Sequence, residues 1–221
     1  MGIAERKLRE KNRRRNAILK AAKRLIAKHG VEGMTMNHLA RSTELNKATI
    51  YLYYKDKDDL VDAVVSEGLG LLQKKYAEMD RERRSGLENV LDLCRITFAF
   101  YREHPVYFYT LNHQERRRVS ERLETPSAAS GNEAASRVFK MVADEVRRGV
   151  EEGSIREEID VDVFLVLFYA QTYGVMHTVF SKEDIYKDVL GLTSRVVEES
   201  ALESIEYYLR AGNRVPKKRR R

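Results

Sequence analysis

The fold is decided by residues 35–54, TMNHLARSTELNKATIYLYY, whose pattern predicts two short helices joined by a turn. Thr35 and Asn46 carry side-chain oxygens that can cap the first turn of each helix. Ile50 and Tyr54 are four residues apart and therefore share the inward face of the second helix. The pattern predicts a helix-turn-helix, a unit whose second helix is built to enter the major groove of DNA.

The outward face of this second helix has the chemistry of a DNA reader. With Ile50 and Tyr54 turned inward, Lys47, Ala48 and Tyr51 face out. A lysine can bind a guanine edge or a phosphate, an alanine can touch a thymine methyl, and a tyrosine hydroxyl can reach a phosphate oxygen. The alternative is that the tyrosines pack at a helix junction. We accept that alternative for Tyr54 and favour DNA contact for Tyr51, because the segment is basic.

Charge is distributed unevenly along the 221 residues. Residues 1–60 carry fifteen Lys and Arg against seven Asp and Glu, whereas residues 61–213 carry twenty against twenty-seven. Residues 214–221 add six basic residues and no acid. A basic front on an acidic body is expected when one end of a protein meets a polyanion. The basic C-terminal segment indicates a flexible tail with non-specific affinity for phosphate.

Apolar residues recur at helical spacing through nearly the whole chain, and no alternating strand pattern interrupts them, so the fold class is all-α. Pro105 suits the first turn of a helix, and a long helix is expected from Asp56 to about Met79. The mixture of charged and small residues over 116–132 predicts an exposed connection. Four segments are expected: a basic N-terminal arm over 1–15, a helix-turn-helix DNA-binding domain over 16–60, a larger helical regulatory and dimerisation domain over 61–213, and a basic C-terminal tail over 214–221.

The chain has one cysteine, Cys94, which cannot form an internal disulfide and favours the cytoplasm. Its N-terminus lacks the apolar run of a signal peptide. The uncharged residues 163–180 have about the length of a marginal membrane span. Polar residues inside that stretch, Gln171 and His177 among them, favour a helix buried between other helices, so no membrane partner is expected.

Residues 18–65, ILKAAKRLIAKHGVEGMTMNHLARSTELNKATIYLYYKDKDDLVDAVV, resemble the DNA-binding domain of the tetracycline-repressor (TetR) family. The matching features are an alanine-rich first helix ending at Gly30, a threonine that opens the second helix, and a recognition helix of the form cap–Lys–small–Thr–aliphatic–Tyr. The sequence also departs from the family, with Glu44 in the turn where glycine is usual. That residue predicts either a left-handed backbone or a turn of different shape. Leu52 replaces a common aromatic residue and Asn37 a common basic one, which bears on the DNA sequence preferred and not on docking.

The resemblance implies that the start of the second helix, the recognition helix and the segment after it contact DNA. The implied residues are Thr35, Met36, Asn37, Asn46, Lys47, Ala48, Thr49, Tyr51, Tyr53 and Lys57. It also implies a second domain that dimerises through its last two long helices and encloses a small-molecule pocket. Aromatic and histidine residues are candidates for that pocket, although such residues usually satisfy hydrogen bonds in a core. They are Phe98, Tyr101, Phe108, Tyr109, His113, Phe168, Tyr173 and His177.

The function predicted is that of a ligand-responsive, sequence-specific transcriptional regulator, a repressor that binds a palindromic operator as a homodimer and is released by a small apolar or aromatic molecule. An architectural or non-specific nucleic-acid-binding protein is the alternative, supported by the basic tails. An enzyme is disfavoured, because the five histidines show no metal-ligand spacing and no glycine-rich phosphate loop occurs. No catalytic residue, metal or cofactor is expected.

Overall fold

The computed structural model describes residues 2–117 and 125–212, and within them the chain is all-α, as the sequence predicts. Ile155 and Arg210 add one isolated β-bridge. The helices of the described residues are α1 (Ile3–Gly33), α2 (Met36–Thr43), α3 (Lys47–Tyr51), α4 (Lys57–Ala77), α5 (Gly86–Glu103), α6 (Pro105–Glu115), α7 (Pro126–Glu151), α8 (Val161–Leu190) and α9 (Ser194–Leu209). The predicted basic tail over 214–221 lies outside the described residues.

The chain forms two compact units, each built from two stretches of sequence. The first unit comprises Met1–Leu71 and His104–Ala135, and the second comprises Leu72–Glu103 and Ser136–Arg221. The predicted DNA-binding segment 16–60 belongs wholly to the first unit. The functional boundaries placed at residues 15, 60 and 213 stay predictions.

The helix-turn-helix is capped as the sequence predicts. The side chain of Thr35 accepts a hydrogen bond from the backbone N–H of His38 at 3.1 Å, and that of Asn46 accepts one from Thr49 at 2.7 Å. Each cap satisfies a backbone donor that the first turn of a helix leaves without a partner. In the turn, Glu44 has a φ of 55°, so this non-glycine residue adopts a left-handed backbone, one of the two alternatives that the sequence left open.

The first helix changes direction at Gly30, which has a φ of 71° inside α1. Glycine adopts a positive φ at little cost in free energy because it has no Cβ. Gly30, which was predicted to end the first helix, therefore interrupts it. Upstream of this kink, α1 is continuous from Ile3. Its buried residues begin at Ile18 and Ala22, while the side chains described before residue 17 are exposed.

In the second unit, α5 and α7 approach so closely that only glycine fits at the contact. A Cβ built on Gly86 would lie 2.3 Å from the backbone nitrogen of Gly149. About two turns further along the two helices, Leu93, Cys94 and Val142 are fully buried. Burial raises the pKa of the Cys94 thiol, because an apolar surrounding disfavours the thiolate. Cys94 therefore packs in the core as a neutral thiol.

Helix α8 buries one face and exposes the other. Phe164, Phe168 and Met176 recur at multiples of four residues on the buried face, whereas Val166 is 67% exposed. By length and composition alone α8 could cross a membrane, although a core helix of a soluble protein passes the same criterion. Within one chain the helix is thus only partly buried, and its exposed apolar side is a surface that another molecule could cover.

The connection predicted over 116–132 is wrong for its second half. Helix α7 begins at Pro126, and Thr125, Ser127 and Ala128 are buried in the first unit. Small residues fit where a helix start packs closely against its neighbours, so their presence did not indicate exposure here. Residues 118–124 of this connection lie outside the described residues.

Candidate nucleic-acid interface

The recognition helix α3 presents two faces. Ile50 and Tyr54 are buried, with exposures of 0% and 1%, so the inward face predicted from their spacing is confirmed. Tyr51 is 48% exposed, and Lys47 and Ala48 are also exposed. The outward surface of α3 therefore carries a cation, a small residue and a hydroxyl-bearing ring, groups that suit a base edge, a thymine methyl and a phosphate.

The residues predicted to contact DNA lie together on α2, α3 and the segment that follows α3. None of them is buried. Thr35, Asn37, Asn46, Lys47, Ala48 and Tyr51 are exposed, and Met36, Thr49, Tyr53 and Lys57 are half-buried. The folded chain thus brings the predicted set to the surface of one unit, and their contact with DNA stays a prediction.

Asn46 and Thr49, two of the residues predicted to contact DNA, also stabilise the start of α3. The side-chain oxygen of Asn46 accepts hydrogen bonds from both the backbone N–H and the hydroxyl of Thr49, the latter at 2.8 Å. These bonds fix the start of the recognition helix and set the direction in which Lys47 and Ala48 point. Replacing Asn46 would therefore disturb the geometry of α3 in addition to any direct contact.

Leu52, whose identity was expected to bear on the DNA sequence preferred, is also exposed on this surface. It is 79% exposed and directly follows Tyr51 at the end of α3. An apolar side chain this exposed, beside residues suited to the groove, can contact a sugar or a thymine methyl. Its place next to Tyr51 and its inability to share the inward face with Ile50 were the available sequence signals.

Lys57, predicted to bind phosphate, forms a hydrogen bond and an ion pair within the protein. Its Nζ donates to the backbone carbonyl of Glu32 at 3.3 Å and lies 3.7 Å from the Glu32 carboxylate.

His113, predicted to line a pocket, lies in the same group of charges, with Nδ1 3.1 Å from Glu32 and Nε2 3.6 Å from Asp58. The contacts observed for His113 are thus with carboxylates on the first unit.

Tyr54 joins the end of the recognition segment to α1. Its hydroxyl donates to the backbone carbonyl of Arg15 at 3.4 Å, and the guanidinium of Arg15 lies 5.2 Å from the centre of the ring. Burial raises the pKa of the Tyr54 hydroxyl, because desolvation disfavours the phenolate. Tyr54 is therefore a neutral packing residue that fixes α3 against the base of the N-terminal arm.

Two buried carboxylates at the start of α4 support this surface, and the sequence analysis missed both. Asp59 accepts from the backbone N–H of Lys55 at 2.9 Å and from that of Ser127 at 3.0 Å. Its carboxylate links the segment after α3 to the start of α7. Charged residues in a helical first turn usually indicate a solvated cap, so the periodic pattern did not reveal this buried role.

Asp62 is fully buried one turn further along α4. Its carboxylate accepts from Gln114 at 2.8 Å, Arg117 at 3.0 Å and Thr125 at 2.6 Å. A buried charge is tolerated when it is paired and its remaining oxygens are hydrogen-bonded, as they are here. Asp62 thereby ties α4 to the end of α6 and to the residue that precedes α7.

The second unit contains a cleft of about 720 Å³ between α5, α8 and α9. Phe98, Val179 and Leu202 supply apolar walls, and Arg102 lines it in an ion pair with Glu198. A concave, mostly apolar surface with a few polar groups is the usual form of a ligand site. Of the predicted pocket residues, Phe98 lines this cleft.

The remaining pocket candidates are divided between the units. Phe108 is buried in the first unit, where Tyr109 is 40% exposed. Tyr101 and Phe168 are buried in the second unit. Tyr173 and His177 are half-buried there, with ring centres 6.1 Å apart, as neighbours at i and i+4 should be. Whether any of them touches a ligand stays a prediction.

Within the described residues, no group of three or more His, Cys, Asp or Glu side chains could hold a metal ion. The described surface with the clearest functional chemistry is the outward face of α3 and its surroundings.

Residues 18–64 match the family model described as bacterial regulatory proteins, tetR family. A curated relative, the HTH-type transcriptional repressor KstR2 of Mycolicibacterium smegmatis, is 26% identical over 150 residues. That alignment covers 68% of this chain and 71% of the relative.

Two solved structures share the fold. FadR from Bacillus subtilis, solved with stearoyl-CoA, superposes with a TM-score of 0.68 at 18% identity, covering 87% of this chain and 97% of the other. AibR, solved with isovaleryl coenzyme A and operator DNA, superposes with a TM-score of 0.62 at 17% identity, with coverages of 87% and 97%. Both likenesses extend over the two units described above.

Proposed function

We propose that the chain is a transcriptional regulator of the TetR family, which binds a palindromic operator as a homodimer and is released from it by a small apolar molecule. The outward face of α3 is the observation that carries this proposal. A repressor is the default expectation, because the curated relative KstR2 is named a repressor. Such a regulator acts on DNA in the cytoplasm.

The operator contacts are proposed from exposure and chemistry. Lys47, Ala48 and Tyr51 face outward from a helix whose other side is anchored by Ile50 and Tyr54. Contacts from Lys47 and Tyr51 would reach base edges or nearby phosphates, whereas Tyr53 and Lys57 would bind the backbone. For Lys57 this requires exchanging the Glu32 carboxylate for a phosphate, a replacement of one anion by another.

Dimerisation is proposed through α8 and α9. Val163, Val166 and Leu167 expose apolar side chains on one side of α8, and Val196 and Tyr207 do so on α9. A second copy of the chain would cover this surface, since two-fold pairing also gives a single recognition helix the area it needs for specific binding. The occupant proposed is thus a second copy, the arrangement that a palindromic operator requires.

The effector site is proposed at the cleft of the second unit. Its apolar walls suit an acyl chain or an aromatic body. Arg95 and Arg102 also line the cleft and pair with Asp92 and Glu198, so binding an anionic group there would require exchanging these carboxylates for it. Because AibR and FadR were solved with acyl-CoA molecules, acyl thioesters are the first class to test on this chain. Free coenzyme A is the matched control for the apolar part of the ligand.

The experiment is selection of bound sequences from random duplex DNA, followed by affinity measurements on the selected operator. A dyad-symmetric consensus is expected, and Lys47→Ala or Tyr51→Ala should weaken operator binding by about 1–3 kcal/mol if a base contact is lost. Lys57→Ala should weaken operator and unrelated duplex about equally, because a phosphate contact carries no sequence information. Enrichment of no consensus would refute the regulator and favour the architectural alternative.

The effector is tested on the same operator. Addition of an acyl-CoA that fills the cleft should lower operator affinity, and operator should lower the affinity for that acyl-CoA by the same factor, because coupling between two sites is reciprocal. An acyl-CoA whose affinity is unchanged by operator is not an effector.

A further inference from the structure

The N-terminal arm is a continuous helical extension of α1, and its side chains are exposed. Residues 4–16 precede the first buried side chain and are all exposed. They include seven basic residues and only two acidic ones, Glu5 and Glu10. At 1.5 Å per residue these thirteen positions extend about 20 Å beyond the helical core. This exposed surface lies outside α2 and α3, the two helices of the helix-turn-helix.

The arm presents cations on the face that α1 buries further along. Lys7, Lys11 and Arg14 precede Ile18 and Ala22 at spacings of four, three, four and four residues, so all five lie on one face of the helix. Ile18 and Ala22 have 0% exposure and belong to the core of the first unit. The buried part of this face is apolar, whereas its exposed part, before Ile18, is positively charged. We call Lys7, Lys11 and Arg14 the basic stripe.

The base of the arm is fixed beside the recognition helix. Tyr54 follows α3 by three residues, and its hydroxyl donates to the carbonyl of Arg15, one residue after the basic stripe. The Arg15 guanidinium also stacks over the Tyr54 ring. The base of the stripe is therefore held against the inward side of the recognition segment, three residues along the chain from Tyr51 of the proposed DNA-binding surface.

On these grounds we infer that the basic stripe is an additional DNA-binding surface, which binds phosphates of the duplex beside each half-site. This inference rests on the proposed operator binding. Duplex DNA carries one negative charge per about 1.7 Å of axis, so an arm of about 20 Å can run beside several phosphates. Arg14 forms an exposed ion pair with Glu10 at 3.0 Å, which is weak enough to exchange for a phosphate.

The test compares two triple variants that remove the same charge from opposite sides of the arm. One replaces Lys7, Lys11 and Arg14 with glutamine. The control replaces Arg6, Arg9 and Arg13, which lie on the other side of the helix. All six side chains are exposed, so both variants should melt at the temperature of the unmodified protein.

The measurement is operator affinity against salt concentration, with hydroxyl-radical footprints on a duplex that extends beyond the selected consensus. Loss of the basic stripe should reduce the slope of log affinity against log salt by about 0.9 for each phosphate contact, up to roughly 5 for a dimer. It should also remove protection from the flanks while keeping the consensus. The control variant should change the slope by less than about one unit and keep the flanking protection.

Two results would refute this inference and leave the proposed function intact. In the first, the stripe variant binds the operator with an unchanged slope of log affinity against log salt. In the second, both triple variants change that slope equally. Equal changes would mean that the arm acts only through its net charge. An unchanged slope together with lost sedimentation on phosphatidylserine vesicles would assign the stripe to a membrane surface. Absence of any selected consensus with the unmodified chain would instead refute the proposed function.

Discussion

Tyr51 and Tyr54 lie three residues apart, and their surroundings predict opposite consequences for the same substitution. Tyr54 is 1% exposed, and burying an aromatic side chain of about 150–250 Å² is worth about 4–6 kcal/mol by area. Measured truncations of buried aromatic residues to alanine cost about 3–5 kcal/mol. Tyr54→Ala should therefore destabilise the first unit by a few kcal/mol, whereas Tyr51→Ala, on a half-exposed residue, should change stability by about 0.5 kcal/mol or less.

The assay pairs urea unfolding with operator titration for the same preparations. Tyr54→Ala should shift the urea midpoint strongly downward. Tyr51→Ala should leave the midpoint in place and weaken operator binding by about 1–3 kcal/mol, which is roughly 5-fold to 150-fold. Tyr54→Phe is the control, since it keeps the ring and removes only the long hydrogen bond to Arg15, worth about 1 kcal/mol at most.

One result would refute the orientation of the recognition helix. If Tyr51→Ala unfolds at as low a urea concentration as Tyr54→Ala and still binds operator normally per folded molecule, then the face assigned to DNA is the packing face. The contacts proposed for Lys47 and Ala48 would be lost with it, because both positions follow from the same helical phase.

Three further substitutions test other parts of the structure. Val166→Glu places a charge in the proposed dimer surface, so sedimentation should show monomers or aggregates; a monomeric unmodified chain at micromolar concentration would instead show that the surface is not a dimer interface. Gly86→Ala forces a Cβ into the backbone of α7 and should cost about 1–3 kcal/mol or more in urea unfolding; full stability would contradict the close helix approach. Asp62→Ala leaves Arg117 without its buried carboxylate and should cost about 3–5 kcal/mol, whereas the partly exposed Asp58→Ala should cost about 1 kcal/mol or less. Equal losses for the two aspartates would contradict the buried pairing.

Local features of the sequence were sufficient to predict the helix-turn-helix. The caps at Thr35 and Asn46 depend on a side chain and a backbone group three residues away, and such contacts are encoded locally. The inward placement of Ile50 and Tyr54 follows from helical spacing, which is a property of the chain itself. For the turn at Glu44 the sequence left two possibilities open, a left-handed backbone or a turn of different shape, and the structure decided for the left-handed backbone.

Partners distant in sequence were decided only by the tertiary structure. Periodicity predicts which face of a helix turns inward, but it carries no information about the element that the face meets. The pairing of Asp62 with Arg117, the contact of Gly86 with α7 and the placement of His113 beside Glu32 all join residues more than fifty positions apart. The basic stripe of α1 depends on both levels: the sequence supplied its charge and spacing, and its position beside the recognition helix follows from the packing of Tyr54 against Arg15.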